Sequence, residues 1–376
     1  MVRIYTTKLR INIMPKLLTV IIPEHNEGDQ VNDTLDSLFA TSDRSLYDVI
    51  VISDGSTVPL DIDKYKIQHF NNGLRQGVGA AFDVGVMMAK TPYLILMGCD
   101  IRFREDDYIN KMLDLLRDPA NEKAFICTTN LGMHAGKMDI NSPKLLKRYG
   151  SSVLLFMTAA DIPAKGTVMR ELQQLKDDKA VPNYRNILEC KWLSRPKSSL
   201  EDIPGILGAF YGVRREWYNH IRGWRGHRYW GTLEPFISLK SWLCGGSCKI
   251  TTDIETGHIF SRVTEKSHKT RPHDLLYNKM YLAEVLFDKP TKDIFMDFLG
   301  TNMPVVNTHI QIANYILNEN RNVIDFERKN MELLLERDLH WFNKKFPFKY
   351  YDLLNGKTLE EILNPPDKLT DESVDG

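Results

Sequence analysis

Asp100 ends the apolar run "YLILMGCD", and His258 closes another, "CKITTDIETGHIF". A carboxylate at the end of an apolar strand has no packing role, so it must be solvated, paired or bound to a metal. A strand-end Asp often only caps the next turn, and a single His is commonly a satisfied structural residue. On adjacent strand ends, however, a hard oxygen and an imidazole form a donor pair suited to Mn²⁺ or another divalent ion that holds phosphates. Asp54 in "VISDGST" is either a turn residue or an acceptor for the imino N–H of a base. In "PEHNEG", Glu24, Asn26 and Glu27 follow Pro23 at a further strand end, more polar groups than a turn requires. The run "NNGLRQGVG" lets backbone approach a ligand at Gly77, and Arg75 offers a guanidinium to phosphate. Its spacing is neither Walker nor dinucleotide-binding. Finally, "WGTLEPFISLKSWLCGG" opens a helix on Trp230, Gly231 and Glu234. Phe236, Ile237, Leu239, Trp242 and Leu243 supply its packing face, so Glu234 either caps the helix or serves as a base.

These residues need a scaffold, and the first hundred positions read as one. "LLTVIIP" and "DVIVISD" are apolar, β-branched runs that stop at turn residues, as buried parallel strands do. Between them "DQVNDTLDSLFA" spaces Val31, Leu35 and Leu38 as a helix does. "KIQHF" is a short third strand, "GVGAAFDVGVMMAK" a helix with a small-residue face, and "YLILMGCD" a fourth strand. This alternation predicts an open α/β sheet, whose ligands bind outside the carboxyl ends of its strands. "PEHNEG", "SDGST" and "GCDIRF" are those ends. Residues 101–203 read as irregular, with helical pieces "INKMLDLL" and "VMRELQQL" and a strand "AFICTTN". From Asn278 onward "NKMYLAEVLF", "THIQIANYILN" and "DFERKNMELLLERDLHWF" are helical. The acidic, Pro-led end, 365–376, is expected to be disordered.

Composition excludes little. Formal net charge is zero, with 49 basic and 49 acidic side chains, so the overall field favours no polyanion. From Tyr184 to Gly231, however, nine Lys/Arg face four Asp/Glu. The five cysteines fit no zinc or secreted disulfide framework and read as reduced thiols. No run is long and apolar enough to span a bilayer, and the N-terminus is a poor signal peptide. A cytoplasmic protein is expected, in a bacterial cytosol or a phage-infected host cell, opening at Met1 or Met14.

In this order and spacing, "VIIPEHNEG", "VISDGST", "LMGCDIRF", "WGTLEPFISLKSWLCGG" and "GHIF" resemble family-2 glycosyltransferases of the GT-A fold. The second half, through "CGG", "KI", "GHIF" and "NKMYLAEV", is more specifically similar to the polypeptide N-acetylgalactosaminyltransferase branch. The resemblance runs from Leu17 to Val285. It implies a nucleotide-diphospho-sugar transferase: a mostly parallel open sheet with helices on both faces and a helical C-terminal extension. The implied domains are 1–285, with a nucleotide-sugar half near 15–130 and an acceptor half near 131–285, then the extension, 286–364. About ninety residues follow Val285 where that branch carries a β-trefoil lectin domain.

By the same resemblance Pro23, Glu24, Asn26 and Asp54 hold base and ribose of a donor, usually uridine-based, with Arg75 and Gly77 at the nucleotide. Asp100 and His258 bind a divalent ion, usually Mn²⁺, and Trp230 and Gly231 wall the sugar and acceptor. Three positions depart from the pattern. Gly98 replaces the first acid of an Asp-x-Asp element. Asp83 replaces an Asn on the second helix. Leu233 stands where the branch has its Glu, and Glu234 one place on, where inverting family-2 enzymes carry their base. The expected chemistry is transfer to a hydroxyl of a polypeptide or saccharide, with Glu234 as base. The basic, aromatic run around Arg214, Arg215, Arg222, Arg225 and Arg228 also suits hydroxymethylated DNA, modified as some bacteriophage enzymes do; in the plainer reading these arginines hold diphosphate or pack on aromatics. Gly98 leaves a third alternative, a nucleotide-sugar-binding pseudoenzyme.

Overall fold

A computed structural model describes residues 16–104, 106–134, 139–156, 187–260, 271–301 and 307–346. The helical piece "VMRELQQL", the N-terminal start and the acidic end lie outside the described residues. In chain order the first strand, Leu18–Glu24 (β1), is buried along its whole length, as a parallel strand covered on both faces must be. Helix Asp29–Ala40 (α1) buries Val31, Leu35 and Leu38. Strands Tyr47–Ser53 (β2) and Gln68–Asn71 (β3), helix Val78–Met88 (α2) and strand Tyr93–Met97 (β4) follow. All pairings in the run β3-β2-β1-β4 are parallel. On α2 the small-residue face brings the helix close to the sheet: a Cβ on Gly85 would strike the side chain of Ile21.

Beyond β4 the sheet becomes mixed. Strand Ile101–Phe103 (β5), helix Tyr108–Arg117 (α3) and strand Ala124–His134 (β6) lead to Leu146–Phe156 (β7) and Ile187–Leu193 (β8), an antiparallel pair carried on β6. Then come Glu201–Asp202 (β9), Phe210–Arg214 (β10), Arg215–His220 (α4), Leu233–Leu243 (α5) and Ser247–Phe260 (β11). The path is β3-β2-β1-β4-β10-β6-β11-β5, with β10 antiparallel to both neighbours and β11 parallel to β6. Residues 101–203 therefore hold more strand than their sequence suggests. In "LKRYGSSVLLF" Lys147, Arg148 and a glycine break the apolar alternation, so the strand is visible only once β6 offers it an edge. β11 also runs farther than its apolar part, with a register shift between Thr251 and Glu255 that carries it on to His258.

Helices Pro272–Leu286 (α6), Lys289–Thr301 (α7), Asn307–Glu319 (α8), Arg321–Glu332 (α9) and Leu339–Lys345 (α10) complete the described chain. The sheet separates two apolar layers. Val31, Leu35, Tyr108 and Met112 pack on one face; Phe82, Trp224, Phe236, Trp242 and Tyr281 pack on the other. The run 325–342, which reads as one helix, is broken between α9 and α10. There the N–H groups of Glu336 and Arg337 leave the helix and donate to the carbonyl of Leu243, at the end of α5. Arg337 also reaches the carbonyls of Trp242, Gly245 and Gly246, so the extension caps α5. All five cysteines are free. Among the described residues no helix is long and apolar enough to cross a membrane.

Candidate active site

A cavity of about 490 Å³ lies outside the carboxyl ends of β1, β2 and β4, where the topology of an open α/β sheet places ligands. Its lining includes Pro23, Glu24, Asp54, Arg75, Gly77, Asp100, Trp230, Gly231, Glu234 and His258. Nine of the ten nominated donor and catalytic positions, together with His258, are thus brought to one space. Asn26 is the exception. Its backbone is left-handed (φ 57°), and its Oδ1 accepts the N–H of Thr57 at 2.8 Å and of Val58 at 3.1 Å. It shapes the turn behind the wall and does not line the cavity.

The two buried acids on the strand ends are also engaged. Asp54, 3% exposed, accepts N–H groups from Gln76 at 2.8 Å and Gly77 at 2.7 Å, and the Nδ2 of Asn72 at 3.3 Å. Glu24, 4% exposed, accepts the Ser56 hydroxyl at 2.6 Å and the N–H of Glu27 at 3.3 Å. Both line the cavity where base and ribose were expected, and their carboxylates also hold the loops that form the wall. Burial explains this, since an unmade hydrogen bond at an enclosed N–H costs about 1–3 kcal/mol. Asp54 thereby fixes the Gly-rich loop. Gly77 (φ 117°) is required there, because a Cβ would run into the backbone of Tyr229. That contact is a bridge: Tyr229 donates to Gln76 O at 2.8 Å, and Val78 donates to Tyr229 O at 3.1 Å. His25, between Glu24 and Asn26, lines the cavity with its Nδ1 2.8 Å from the carbonyl of Asp54. Sequence reasoning passed over it, although its place within "PEHNEG" was signal enough.

Asp100 Oδ2 lies 3.1 Å from His258 Nε2. Antiparallel pairing of β5 with β11 sets this distance, with Ile259 N–H donating to Asp100 O at 3.0 Å. Burial acts to raise the Asp100 pKa, but the His258 imidazole and its hydrogen bond outweigh it and hold the carboxyl below its ordinary range. The Nδ1 of His258 is buried without a hydrogen-bond partner. A side chain at Gly98 would meet Asp100 Oδ1 at 2.6 Å: the carboxylate of Asp100 leans into the space that an acid at 98 would fill. Among the described residues no group of three or more His, Cys, Asp or Glu is placed to hold a metal. Asp100 and His258 still fit a divalent ion as two donors of the right hardness, provided a ligand oxygen completes the shell.

The opposite wall is built by the turn before α5. Tyr229 (φ 50°), Gly231 (φ 97°) and Thr232 (φ 61°) all have left-handed backbone, conformations that persist only where the surroundings over-determine them. Asn278 of α6, fully buried, supplies that constraint. Its Oδ1 accepts Arg228 N–H at 3.0 Å, and its Nδ2 donates to Arg228 O at 2.7 Å and Gly231 O at 3.1 Å. Trp230 is presented 36% exposed at the cavity. Glu234 sits in the first turn of α5 and accepts the Tyr211 hydroxyl at 3.0 Å. Burial first, then the negative charge of Glu234, pushes the Tyr211 pKa well above its ordinary value, so this hydroxyl stays protonated and donates. Its oxygen in turn accepts Ala209 N–H at 2.9 Å. Tyr211 was missed because it is one hydroxyl within an apolar run, and Asn278 because beside Lys279 it reads as a solvated helix residue. Of the three departures, Asp83 lies outside this cavity. It accepts the Tyr218 hydroxyl at 2.5 Å and Trp224 N–H at 3.1 Å, and burial raises its pKa to about 6.

The arginine-rich run divides. Arg214 donates to the carbonyls of Leu116, Arg117 and Asp118, and Arg215 to that of Ala89. Arg222 grips Glu327 through Nε and Nη2. The Arg225 and Arg228 guanidiniums have no such partner among the described residues.

An open α/β sheet with this crevice defines a GT-A fold. Comparison agrees: the crystal structure of GalNAc-T7 with UDP, GalNAc and Mn2+ superposes with a TM-score of 0.63 at 17% identity, covering 90% of this chain and 58% of that one. Residues 19–132 match the family model described as Glycosyl transferase family 2. Polypeptide N-acetylgalactosaminyltransferase 8 of Drosophila melanogaster is 25% identical over 314 residues, 79% of this chain and 47% of that protein. Polypeptide N-acetylgalactosaminyltransferase 13 of Homo sapiens is 31% identical over 94 residues, 24% of this chain and 17% of that protein. An inactive polypeptide N-acetylgalactosaminyltransferase-like protein 5 of Macaca fascicularis is 25% identical over 119 residues, 29% of this chain and 27% of that protein. The chain is thus a GT-A protein similar to the GalNAc-transferases, and it spans about half the length of the Drosophila relative.

Proposed function

We propose that this chain is a glycosyltransferase that moves a sugar from a nucleoside-diphosphate donor, uridine-based, to an acceptor hydroxyl of a polypeptide or saccharide, with Glu234 as base. One observation carries the reading: the Asp100–His258 donor pair and the hydrogen-bonded carboxylate of Glu234 line the same cavity. Asp100 and His258 would hold a divalent ion, Mn²⁺ in the simplest case; when bound, it neutralises charge that develops on the leaving diphosphate. Arg75 is positioned to take a phosphate oxygen, and the backbone near Gly77 lets the nucleotide lie close. Glu234 accepts the acceptor proton. The Tyr211 hydroxyl donates to this carboxylate and holds it in the first turn of α5. Trp230 shields the reacting centre from one side.

Saccharide and polypeptide acceptors fit equally. The DNA reading draws less support from the arginine run, because Arg214, Arg215 and Arg222 are committed to carbonyls and to Glu327. A second reading, a nucleotide-sugar-binding protein without turnover, is favoured by Gly98, which leaves two protein donors for the ion, and by the similarity to an inactive relative. The test is release of nucleoside diphosphate from a panel of nucleotide sugars, with Mn²⁺ or with chelator, for wild type, Asp100→Ala and Glu234→Gln. Mn²⁺-dependent release from one donor, lost in Asp100→Ala, supports the transferase. Tight donor binding with no release, even with polypeptide and saccharide acceptors present, overturns it in favour of the binding protein.

A further inference from the structure

A second cavity, about 620 Å³, lies between α2, the 222–229 loop, α6 and α9. Its volume falls within the range of small-molecule sites, roughly 300–1,000 Å³. Arg75 and Tyr229 line both spaces and form the partition between them. Around the Tyr229 ring three guanidiniums converge: Arg75 at 5.6 Å, Arg228 at 5.6 Å and Arg271 at 4.9 Å. Arg271 is paired with Asp274 at 2.8 Å. Among the described residues no carboxylate makes a salt bridge with Arg75, Arg225 or Arg228, although Asp83 attracts Arg225 from farther off. The buried Nε of Arg228 has no hydrogen-bond acceptor among the described residues, so its lost hydration is not made good unless a ligand completes it. The acid on this lining, Asp83, is turned into the loop by Tyr218 and Trp224. Met87 and Val323, 80% and 61% exposed, give the cavity its apolar surface. Like charges gathered on an apolar wall, with an unanswered buried donor, describe a site that awaits an anion.

We propose that this cavity is a phosphate-binding site distinct from the donor cavity, in which Arg225 and Arg228 hold the phosphate of a small organic molecule whose apolar body lies on Met87 and Val323. Guanidinium forks match phosphate oxygens in bidentate geometry. The phosphate belongs either to the acceptor or to a free effector; both present the same chemistry to the site. Its occupancy does not depend on sugar transfer.

The probe is phenyl phosphate, titrated calorimetrically into the full chain in chelator, with benzyl alcohol as the uncharged control. Binding is expected for phenyl phosphate alone, weakening as salt rises. The double substitution Arg225→Gln with Arg228→Gln is expected to weaken it at least tenfold. Met87→Glu, at an 80% exposed position on the facing wall, adds a carboxylate without touching the fold and is expected to weaken it as well. Asp100→Ala is expected to leave it unchanged. No binding, or equal affinity in the arginine double variant, overturns the proposal; equal affinity there with loss in Asp100→Ala would put the probe in the donor cavity instead. Nucleotide-sugar hydrolysis then separates the sources. A change in hydrolysis caused by phenyl phosphate in wild type, and absent from the double variant, marks a free effector. Unchanged hydrolysis marks a group carried by the acceptor. A chain with no hydrolysis at all counts against the transferase reading alone, since phenyl phosphate binding is measured without turnover.

Discussion

The two walls of the active-site cavity are held by different means. On the donor side, Glu24 and Asp54 bind loop N–H and hydroxyl groups from the strand ends and the Gly-rich loop, all within residues 24–77. On the acceptor side, the strained turn at 229–232 and helix α5 are held from a distance. Asn278 clamps the turn, Arg337 caps the helix, and a buried charge cluster lies beneath both. In that cluster Lys240 of α5, 0% exposed, donates to Gly223 O at 3.0 Å and lies 3.8 Å from Glu327 of α9, which also holds Arg222. The first wall is self-contained, whereas the second is completed by helices that follow residue 285. The expected boundary between a transferase domain and an accessory extension is therefore crossed by a buried ion-pair cluster and by the cap of the helix that bears Glu234.

The largest effect should separate chemistry from either scaffold. Glu234→Gln keeps the shape and the Tyr211 contact but removes the base. Turnover is expected to fall about 10²–10⁴-fold, the range for a general base, while donor affinity and melting temperature stay near wild type. Steady-state kinetics beside donor titration checks this. A loss under threefold would make Glu234 a capping residue and return the acceptor wall to a purely structural role.

Next comes the cluster. Glu327→Gln leaves Lys240 and Arg222 without their carboxylate. Breaking a buried pair from one side costs about 3–5 kcal/mol, to be read from denaturant or thermal unfolding. The comparison is sharpened by where the loss falls. Hydrogen exchange should quicken in α5 and α9 before it quickens in β1 to β4. Uniform loss of protection would mean that the two walls are one cooperative unit.

The same asymmetry governs what could be read in advance. The donor wall was legible because its signals are local: "LLTVIIP", "DVIVISD" and "YLILMGCD" carry strand and turn in one short window, and strand ends in such a sheet face the ligand by topology. Asp100, His258 and Glu234 were found through the motifs they sit in. What could not be read was which polar groups at those ends would be consumed by backbone. Asn26 serves the loop alone, and the cavity-lining carboxylates of Glu24 and Asp54 hold loops as well, because burial of N–H groups is a property of the assembled turn. On the acceptor wall, Asn278 and Glu327 look like solvated helix residues in sequence; only packing of α6 and α9 against the 222–231 loop reveals them. The strands β7, β8 and β10 were missed for a related reason, since β7 and β8 extend an edge that β6 must first present and β10 fills the gap between β4 and β6.

A smaller effect tests the clamp. Asn278→Ala removes the hydrogen bonds that stabilise Arg228 and Gly231 in the turn. Turnover is expected to fall about ten- to hundredfold through misplacement of Trp230 and the entry to α5, with a modest drop in melting temperature. Asn278→Asp can still accept from Arg228 N–H but cannot donate to the carbonyls of Arg228, Trp230 and Gly231, so it should recover part of the loss at most. Donor affinity should be unchanged in both if the donor wall is independent; a parallel loss would travel through the Gly77–Tyr229 bridge and join the two walls.

The smallest effect is electrostatic. Burial pulls the Lys240 ammonium down from 10.5 to about 8, against the attraction of Glu327. A folded pKa below the unfolded one means that the unfolded chain binds more protons between these values, so stability contributed by this group rises with pH across that window and is lost as pH falls through about 8. Lys240→Met has no such proton. The stability of wild type relative to this variant should therefore rise from pH about 8 to about 10, with a slope of up to one proton, about 1.4 kcal/mol per pH unit. Taking the difference cancels the other groups that titrate in the alkaline range. A flat difference would mean that Lys240 keeps an ordinary pKa through solvent reaching α5, and the acceptor wall would then be looser than its buried ion pairs imply.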